Sequence, residues 1–478
     1  MSLREEVAAI VGEDDVTDDP IQLYSYSFDA SAHHSVPDLV CRPESTEEVA
    51  AVVRLAWERG IPVVPRGAAT SLCGQATPLR GGIVLDMVKM SRIKEINVED
   101  RYAVVEPGVV YDDLNEALKP LGFFFPPSPA SSRVCTIGGA VATNASGARA
   151  VKYGAMRDFV LGVEVVLPNG EVARFGGRTV KDSSGYQMAR LFAGSEGTLG
   201  VITEVTLRIV PRPEYAVTCL AAFESLEAAG RAVAAIMASG LTPAALDIMD
   251  GYTLRAVRKT VAPWLPEAEA LLVMEADGDP EVARREMEAM RRVAREHGAV
   301  YLECSEDPAE RDRMWGARKS VLPVLSRYGE RVVSVPLVDD LCVPPSRVPA
   351  AIRAIEAAAR KHGVIIGTYG HIGDGNLHCK VLIDVEDPDQ WDRAFRAAGE
   401  IYEAVTELGG VLSGEHGVGV TKSPFAPLQY GEASLGAMRA VKEALDPRGI
   451  MNPGKFPERV FPHFAVRLRY PYLSLIHI

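Results

Sequence analysis

The fold of this 478-residue chain is best predicted from one segment, Pro65-Arg66-Gly67-Ala68-Ala69-Thr70-Ser71-Leu72-Cys73-Gly74. It directly follows an apolar β-type run, Ile61-Pro62-Val63-Val64. Its side chains are small, so consecutive backbone N–H groups can converge on phosphate oxygens, and the hydroxyls of Thr70 and Ser71 can add donors. A single loop of this kind is weak evidence for a phosphate-binding site, because most glycine-rich stretches are ordinary turns.

Two further loops of small residues follow before residue 201. One combines Ile137-Gly138-Gly139-Ala140 with Asn144-Ala145-Ser146-Gly147, and the other is Gly194-Ser195-Glu196-Gly197-Thr198-Leu199-Gly200. Three such loops favour an extended dinucleotide ligand. None of them is a G-x-G-x-x-G between a first strand and a helix, which disfavours a Rossmann-type NAD site.

The predicted secondary structure changes in character once along the chain. Ser45-Thr46-Glu47-Glu48 reads as a capping box at the start of a helix that Gly60 ends. Short β-type runs dominate up to residue 211. From about Glu214, helices with apolar stripes alternate with strands, which indicates a second, α/β domain. These helices are predicted over residues 225–238, 280–296, 345–361 and 389–408.

A second informative stretch is His371-Ile372-Gly373-Asp374-Gly375-Asn376-Leu377-His378, followed 37 residues later by Glu415-His416-Gly417. The glycines forbid a regular helix, so we expect a strand–turn–strand that places both imidazoles on one side. Taken singly, each histidine is more often a structural residue. Together, imidazoles and a carboxylate suit a divalent ion such as Zn²⁺, Mn²⁺ or Fe²⁺, and three protein ligands leave a position open for substrate.

Composition narrows the class of partner. The net charge of −13 disfavours nucleic acid as a ligand. The seven cysteines include no C-x-x-C pair, so we expect reduced thiols. With no apolar run of membrane-spanning length and no signal peptide at Met1, we expect a cytoplasmic protein, or one held peripherally at the inner face of the membrane. Residues 462–478 have no periodicity and are expected to be a non-native or disordered tail.

The sequence resembles the FAD-linked D-2-hydroxyacid dehydrogenase branch of the vanillyl-alcohol-oxidase-type flavoproteins, which contains D-lactate dehydrogenases and the FAD subunit of glycolate oxidase. The resemblance spans residues 26–456. It is most specific in the stretches 180–186, 194–204, 371–378, 415–419 and 451–455. It implies an α+β, two-domain flavoprotein. We predict an FAD-binding domain over 1–212, an α/β substrate (cap) domain with the metal site over 213–425, and a segment over 426–461 that returns to the FAD domain.

The resemblance also implies the cofactor contacts. FAD is expected to be noncovalent, because the first loop lacks the histidine through which some relatives attach it. The cofactor-binding residues carried over from the family are Arg66, Gly67, Ala68, Ala69, Thr70, Ser71, Gly74, Pro127, Thr136, Gly138, Gly139, Asn144, Ser146, Gly147, Glu196, Gly200, Ile202 and Asn452.

The family's substrate site is carried over in the same way. His371, His378 and Glu415 would ligate the divalent metal, and His416 would be the catalytic base. The substrate-binding residues would be Arg318, whose planar guanidinium matches a carboxylate, and Asn376. The implied reaction is oxidation of a small D-2-hydroxy acid to the 2-oxo acid, with metal-assisted deprotonation of the hydroxyl and hydride transfer to the flavin.

The substrate and the electron acceptor stay open within this branch. Relatives that act on dicarboxylic acids carry a threonine and a lysine where this chain has Leu322 and, at about the matching position, Val338. This favours D-lactate or glycolate over D-2-hydroxyglutarate. The acceptor is a quinone, a cytochrome, an electron-transferring flavoprotein or an iron–sulfur subunit, and a homodimer is compatible with the sequence. The alternatives are a flavin-binding subunit of a larger complex and a flavin-free metal-dependent hydrolase.

Overall fold

The computed structural model of the protein describes residues 1–327 and 332–458. The predicted tail, 462–478, lies outside the described residues. Up to residue 212 the helices and strands are α1 Leu3–Val11, β1 Val16–Thr17, α2 Pro20–Ser25, β2 Leu39–Cys41, α3 Thr46–Arg59, β3 Val63–Arg66, β4 Ile83–Asp86, β5 Ile93–Asn97, β6 Tyr102–Val105, α4 Tyr111–Leu118, β7 Phe123–Phe124, α5 Ile137–Thr143, α6 Ala150–Tyr153, α7 Met156–Phe159, β8 Val160–Val166, β9 Val172–Gly176, α8 Met188–Phe192, β10 Val201–Arg208 and β11 Val210–Pro211.

The remaining elements are longer. They are β12 Tyr215–Phe223, α9 Leu226–Ala238, β13 Ala245–Asp250, α10 Gly251–Thr260, β14 Ala270–Gly278, α11 Pro280–Glu296, β15 Ala299–Ser305, α12 Pro308–Lys319, α13 Val321–Leu325, β16 Val332–Cys342, α14 Val348–His362, β17 Ile365–Gly370, β18 Asn376–Asp384, α15 Pro388–Glu407, α16 Ala426–Gln429 and α17 Glu432–Leu445. Along the described residues, none of these helices combines the length and the apolar character needed to cross a bilayer.

The chain divides into two compact units. Unit 1 comprises 1–146, 155–212 and the chain from Glu415 onward, and unit 2 comprises 147–154 and 213–414. The division differs from the predicted boundaries in two places. The sequence placed the end of the second domain at residue 425, whereas the chain enters unit 1 at Glu415, and the short segment 147–154 belongs to unit 2.

Unit 1 contains two main sheets. A four-stranded sheet has the order β1-β2-β4-β3, with β2, β4 and β3 parallel, and a five-stranded antiparallel sheet has the order β5-β6-β10-β8-β9. Helix α3 connects β2 to β3 and buries Val49, Val52, Val53 and Ala56 in the core of this unit. The first small-residue loop therefore begins at the end of a buried parallel strand.

The ends of α3 follow the sequence closely. The Ser45 hydroxyl accepts a hydrogen bond from the Glu48 backbone N–H, and Gly60 ends the helix in the left-handed conformation with φ 66°. The predicted capping box is only half present. The Glu48 carboxylate accepts from the Glu44 N–H at 2.7 Å, one residue before the expected donor.

Unit 2 is built on one seven-stranded antiparallel sheet with the order β15-β12-β14-β13-β17-β18-β16. Leu271 and Val273 on β14 pack with apolar residues of α10, α12 and α13 in one core cluster. The four predicted helices are present as α9, α11, α14 and α15, with ends that agree within three residues.

One expectation about the cysteines was wrong. Cys219 on β12 and Cys304 on β15 are directly opposed in the antiparallel register and form a disulfide. Pairing across two strands depends on the register, and the spacing of 85 residues along the chain did not reveal it. Cys73, in the first small-residue loop, is fully buried.

Candidate cofactor and substrate-binding sites

The first loop is suited to an anionic ligand. The chain leaves β3 at Arg66, and Ala69 adopts a positive φ of 52°. The backbone N–H groups of Ala68 to Ser71 donate to no acceptor within the part of the chain that the structure describes. Consecutive, unconsumed amides in a turn are the arrangement that binds phosphate oxygens. The loop therefore fits the pyrophosphate of a dinucleotide.

The Arg66 side chain has a structural environment. Its guanidinium donates to the Phe28 carbonyl at 2.9 Å and lies over the Tyr26 ring, 5.2 Å from the centroid. Burial lowers the pKa of Arg66, although Asp29 and Asp86 act in the opposite direction. These contacts hold the chain before β2 against the loop, and a direct contact with FAD stays a prediction.

The second loop begins as the N-terminus of α5. The Thr136 hydroxyl caps this helix by accepting from the Gly139 N–H. Gly138 lies against Pro107, whose carbonyl accepts its N–H at 2.8 Å, and a Cβ at Gly138 would come within 2.4 Å of the Pro107 Cβ. Asn144 ends α5 with φ 51° and accepts from the Arg157 N–H. Only a very small residue allows this close approach at position 138.

Asn452 connects the first and third loops. Its amide nitrogen donates to the Gln75 and Glu196 carbonyls, both at 2.8 Å. The Asn452 amide oxygen and the Ser195 hydroxyl are buried, and neither has a hydrogen-bond partner among the described residues. Buried polar atoms without partners are costly, and polar groups of a bound ligand would satisfy them. The third loop and Asn452 therefore also fit a cofactor.

The segment 415–419, which carries the predicted base, is held by one side chain from or beside each of the three loops. Ser146 donates to the Glu415 carboxylate at 3.1 Å. Gln75 donates to the backbone carbonyl of His416 at 2.8 Å. The Glu196 carboxylate accepts from the Val418 and Gly419 N–H groups at 2.7 and 2.9 Å. Within unit 1, the three small-residue loops and the adjacent Gln75 thus fix the position of the His416 backbone.

Two details of this segment bear on its chemistry. Burial raises the pKa of Glu196, and the two N–H donors partly offset that effect. The His416 Nε2 lies 3.5 Å from the Glu415 carboxylate. Neighbouring residues of a regular strand point to opposite faces, so Glu415 and His416 can serve one site only from an irregular turn. The segment is indeed irregular, with Gly417 at φ 78°.

The other predicted cofactor residues are spread over the two units. Pro127 is buried in unit 1, Gly200 precedes β10, and Ile202 lies on that strand and is 7% exposed. Gly147 belongs to unit 2. Their contacts with FAD stay predictions.

The two histidines of the second motif lie together in unit 2, as the strand–turn–strand prediction required. His371 directly follows β17 and His378 lies on β18. Their ring centroids are 5.2 Å apart, and the ring planes are nearly perpendicular. Both residues are buried, with 9% and 4% of their surface exposed.

A carboxylate that the sequence analysis did not single out connects His371 with Arg318. The Asp247 side chain on β13 lies 2.9 Å from His371 Nδ1 and 2.8 Å from Arg318 Nε. Burial raises the pKa of Asp247, but the charges of His371 and Arg318 outweigh it, so the net shift is downward. The guanidinium also lies over the Tyr369 ring at 4.8 Å.

A bulged strand brings two carboxylates to His378. The pairing of β16 with β18 is irregular between Val335 and Leu341, and Asp340 adopts a positive φ of 69°. A bulge lets neighbouring side chains reach the same side of a strand. Asp339 Oδ1 lies 3.4 Å from His378 Nδ1, and an Asp340 carboxylate oxygen lies within 4.8 Å of a His378 ring nitrogen.

Neighbouring polar groups hold these carboxylates. The ammonium of the fully buried Lys380 lies 2.5 Å from Asp339. Asn376 donates to Asp340 at 2.8 Å, and the Ser413 hydroxyl donates to the same side chain at 2.5 Å. Asn376, predicted to bind substrate, therefore orients an acidic group beside His378. The set of imidazoles and carboxylates matches the ligands of a divalent transition metal.

Asp247, Asp339 and Asp340 were not among the residues predicted for this site. A signal for them was present, since each is an acidic residue within an apolar β-type run, Ala245-Leu246-Asp247-Ile248 and Leu337-Val338-Asp339-Asp340-Leu341. A carboxylate in such a run is buried and requires a partner.

Comparison with known protein families gives two matches. Residues 37–176 match the model described as "FAD binding domain", and residues 212–456 match "FAD linked oxidases, C-terminal domain". The chain is 39% identical over 455 residues to the glycolate oxidase subunit GlcD of Bacillus subtilis (strain 168), covering 95% of this chain and 96% of the relative. It is 34% identical to the mitochondrial D-lactate dehydrogenase [cytochrome] of Arabidopsis thaliana, covering 93% of this chain and 78% of the relative.

Solved structures with the same fold have little sequence identity to this chain. A 4-ethylphenol oxidase from Gulosibacter chungangensis superposes with a TM-score of 0.76 at 20% identity, covering 96% of this chain and 97% of that one. A p-cresol methylhydroxylase superposes with a TM-score of 0.76 at 19% identity, covering 95% and 96%. These similarities show the fold alone, and they confirm the predicted two-domain FAD-binding fold.

The loops of unit 1, the two family matches and the relatives of full length agree with one another. They show an enzyme that binds FAD and carries out oxidation or reduction. This chain belongs to the family of FAD-linked oxidases.

Proposed function

We propose that the protein oxidises a small D-2-hydroxy acid, such as D-lactate or glycolate, to the 2-oxo acid. The observation that carries this proposal is the Asp247 carboxylate, which contacts both Arg318 and His371. A group suited to a substrate carboxylate and a group suited to a metal are thereby held together in unit 2. The names of the relatives, glycolate oxidase subunit and D-lactate dehydrogenase, support the same substrate class.

The proposed roles follow from the chemistry of each side chain. The guanidinium of Arg318 would bind the substrate carboxylate, because its paired N–H groups match two oxygens. The His416 imidazole would accept the hydroxyl proton, since its usual pKa is near neutral. FAD, when bound, would accept the α-hydrogen with its electron pair.

A divalent ion is part of this proposal. His371 and His378 would be ligands from unit 2, and the family resemblance adds Glu415 as the third. The ion would favour the ionised form of the substrate hydroxyl. Asp340, which lies beside His378, would be a further ligand or would orient that histidine.

Anaerobic mixing with a panel of D- and L-2-hydroxy acids tests the proposal. We expect D-lactate or glycolate to bleach the flavin absorbance, and L-lactate to leave it unchanged. If no 2-hydroxy acid reduces the flavin, the proposed activity is wrong. A protein without flavin that hydrolyses an ester or amide would instead support the metal-dependent hydrolase.

Two further alternatives have their own tests. Faster bleaching by D-2-hydroxyglutarate than by D-lactate would assign the dicarboxylate specificity. The acceptor would be identified by reoxidising the substrate-reduced protein with a quinone analogue, cytochrome c, an electron-transferring flavoprotein or an iron–sulfur protein. A flavin that no substrate reduces but that exchanges electrons with such a protein would indicate a flavin-binding subunit.

A further inference from the structure

Asp247 is placed where a single carboxylate can control two functional groups. It lies on β13, which pairs with β14 and β17 within the seven-stranded sheet, and it is 1% exposed. A carboxylate buried to this degree requires charged or hydrogen-bonding partners. Its partners here are Arg318 and His371.

The contact with Arg318 involves only one edge of the guanidinium. Asp247 Oδ2 forms an ion pair with Nε at 2.8 Å, outside hydrogen-bond geometry, and the Tyr369 ring supports the face of the guanidinium. Among the described residues, none accepts a hydrogen bond from the terminal nitrogens Nη1 and Nη2. These two nitrogens form the pair that binds a carboxylate bidentately.

The contact with His371 determines how that ring can act. The Asp247 oxygens lie 2.9 and 3.1 Å from Nδ1. An ionised carboxylate can only accept, so Nδ1 carries the proton and Nε2 is the atom with a lone pair for a metal. A carboxylate behind a ligating histidine fixes its tautomer and orientation, and it typically changes metal affinity or activity 10- to 100-fold.

Asp250, three residues further along β13, provides a contrast. It is also buried, but its carboxylate accepts from the Thr253 and Thr368 backbone N–H groups at 2.7 and 2.6 Å. These bonds cap α10 and hold β17, and neither partner is a predicted ligand or substrate contact. The two acidic residues of this strand therefore have different partners: Asp247 contacts two functional side chains, and Asp250 contacts two backbone N–H groups.

We propose that Asp247 is a positioning residue that sets both the tautomer of His371 for metal binding and the orientation of Arg318 for the substrate carboxylate. The inference rests on the proposed function and extends it to a residue that has no assigned role. It predicts that one substitution weakens metal binding and substrate binding together.

The test compares Asp247→Asn with the matched variant Asp250→Asn, both as FAD-loaded protein. The affinity for Zn²⁺ is measured by competition with a chromophoric chelator, and kcat and KM are measured with D-lactate. For Asp247→Asn we expect a Zn²⁺ Kd about 10 to 100 times weaker and a KM raised about tenfold or more. For Asp250→Asn we expect both quantities within about threefold of wild type, since its partners are backbone groups.

The outcomes separate this inference from the proposed function. If wild type binds Zn²⁺ and oxidises D-lactate, but Asp247→Asn matches it in Kd and KM, the role of Asp247 is overturned and the function stands. If wild type neither binds Zn²⁺ nor oxidises a 2-hydroxy acid, the proposed function fails, and this inference fails with it. A variant that lowers only the melting temperature would mark Asp247 as structural.

A measurement on wild type covers the case in which Asp247→Asn does not fold. In ¹⁵N-histidine-labelled, metal-free protein, the ring signals of His371 are assigned by their loss in His371→Gln. We expect the proton on Nδ1. A ring protonated on Nε2 and not on Nδ1 would contradict the inference.

Discussion

Replacing Gly138 by alanine tests whether the second loop holds FAD. In the structure a Cβ at this position would lie 2.4 Å from the Pro107 Cβ and 2.9 Å from its Cα. Carbon atoms pack at about 3.5 Å or more, so the start of α5 must shift by about 1 Å. Forcing an extra carbon into a packed site costs about 1–3 kcal/mol. The same shift would also strain the hydrogen bond from the N–H of residue 138 to the Pro107 carbonyl, which is 2.8 Å long in wild type.

This cost falls on the loop that would contact the cofactor. If the loop must return to its native geometry to bind FAD, about 1–3 kcal/mol corresponds to roughly 5- to 150-fold weaker binding. The assay is titration of apoprotein with FAD, followed by flavin fluorescence, together with the flavin-to-protein ratio after dialysis. Gly436→Ala is the control, because Gly436 lies within α17 and a Cβ there would meet no atom within 4 Å. Equal FAD affinity in Gly138→Ala and wild type would refute the reasoning.

Four further results are expected. Acid precipitation should release the flavin into the supernatant, because residues 66–74 contain no attachment histidine, and colour kept in the pellet would contradict noncovalent binding. His416→Gln should slow flavin reduction by D-lactate about 10²- to 10⁴-fold with FAD retained, since Gln75 donates to the His416 backbone carbonyl, which the substitution keeps, and unchanged reduction would exclude this histidine as the base. Wild type should prefer D-lactate over D-2-hydroxyglutarate by about a hundredfold, because the apolar Leu322 and Val338 offer a second carboxylate no partner, and a preference for the dicarboxylate would contradict this. Burial raises the pKa of Asp250 from 3.8 to about 6, so the folded state binds more protons between those pH values, and the stability of wild type relative to Asp250→Asn should fall by about 2 kcal/mol from pH 4 to pH 7 in urea unfolding.

The sequence predicted those secondary-structure elements that are determined by residues within the element itself. Helix α3 has a serine cap, an apolar stripe and a terminal glycine within sixteen residues, and it forms where predicted, over Thr46–Arg59. Glycines between His371 and His378 forbade a helix, and the strand–turn–strand with adjacent rings was confirmed. The prediction of the fold class rested on three small-residue loops taken together, and the resemblance to a known family identified these loops as FAD-binding.

What could not be predicted depends on contacts between distant parts of the chain. Asp247 precedes His371 by 124 residues, and only the pairing of β13 with β17 brings them together. A bulge in β16 directs both Asp339 and Asp340 toward His378. The sequence of this strand contains no glycine from which the bulge could have been predicted. The disulfide between Cys219 and Cys304 similarly depends on strand register. Spacing along the chain contains none of this information.

The course of the chain between the two units has a practical consequence for dissecting the protein. It passes from one unit to the other at residues 146/147, 154/155, 212/213 and 414/415. Within unit 2, Lys152 and Tyr153 of the short segment contact the buried Asp277 at 2.5 and 2.9 Å. A fragment cut at residue 213 would therefore lack the ammonium that pairs with this carboxylate and the hydroxyl that donates to it. Truncation of the chain at residue 213 is therefore expected to yield neither half as a folded protein. A fragment that keeps 147–154 and 213–414, with residues 155–212 replaced by a designed linker, would contain all of unit 2.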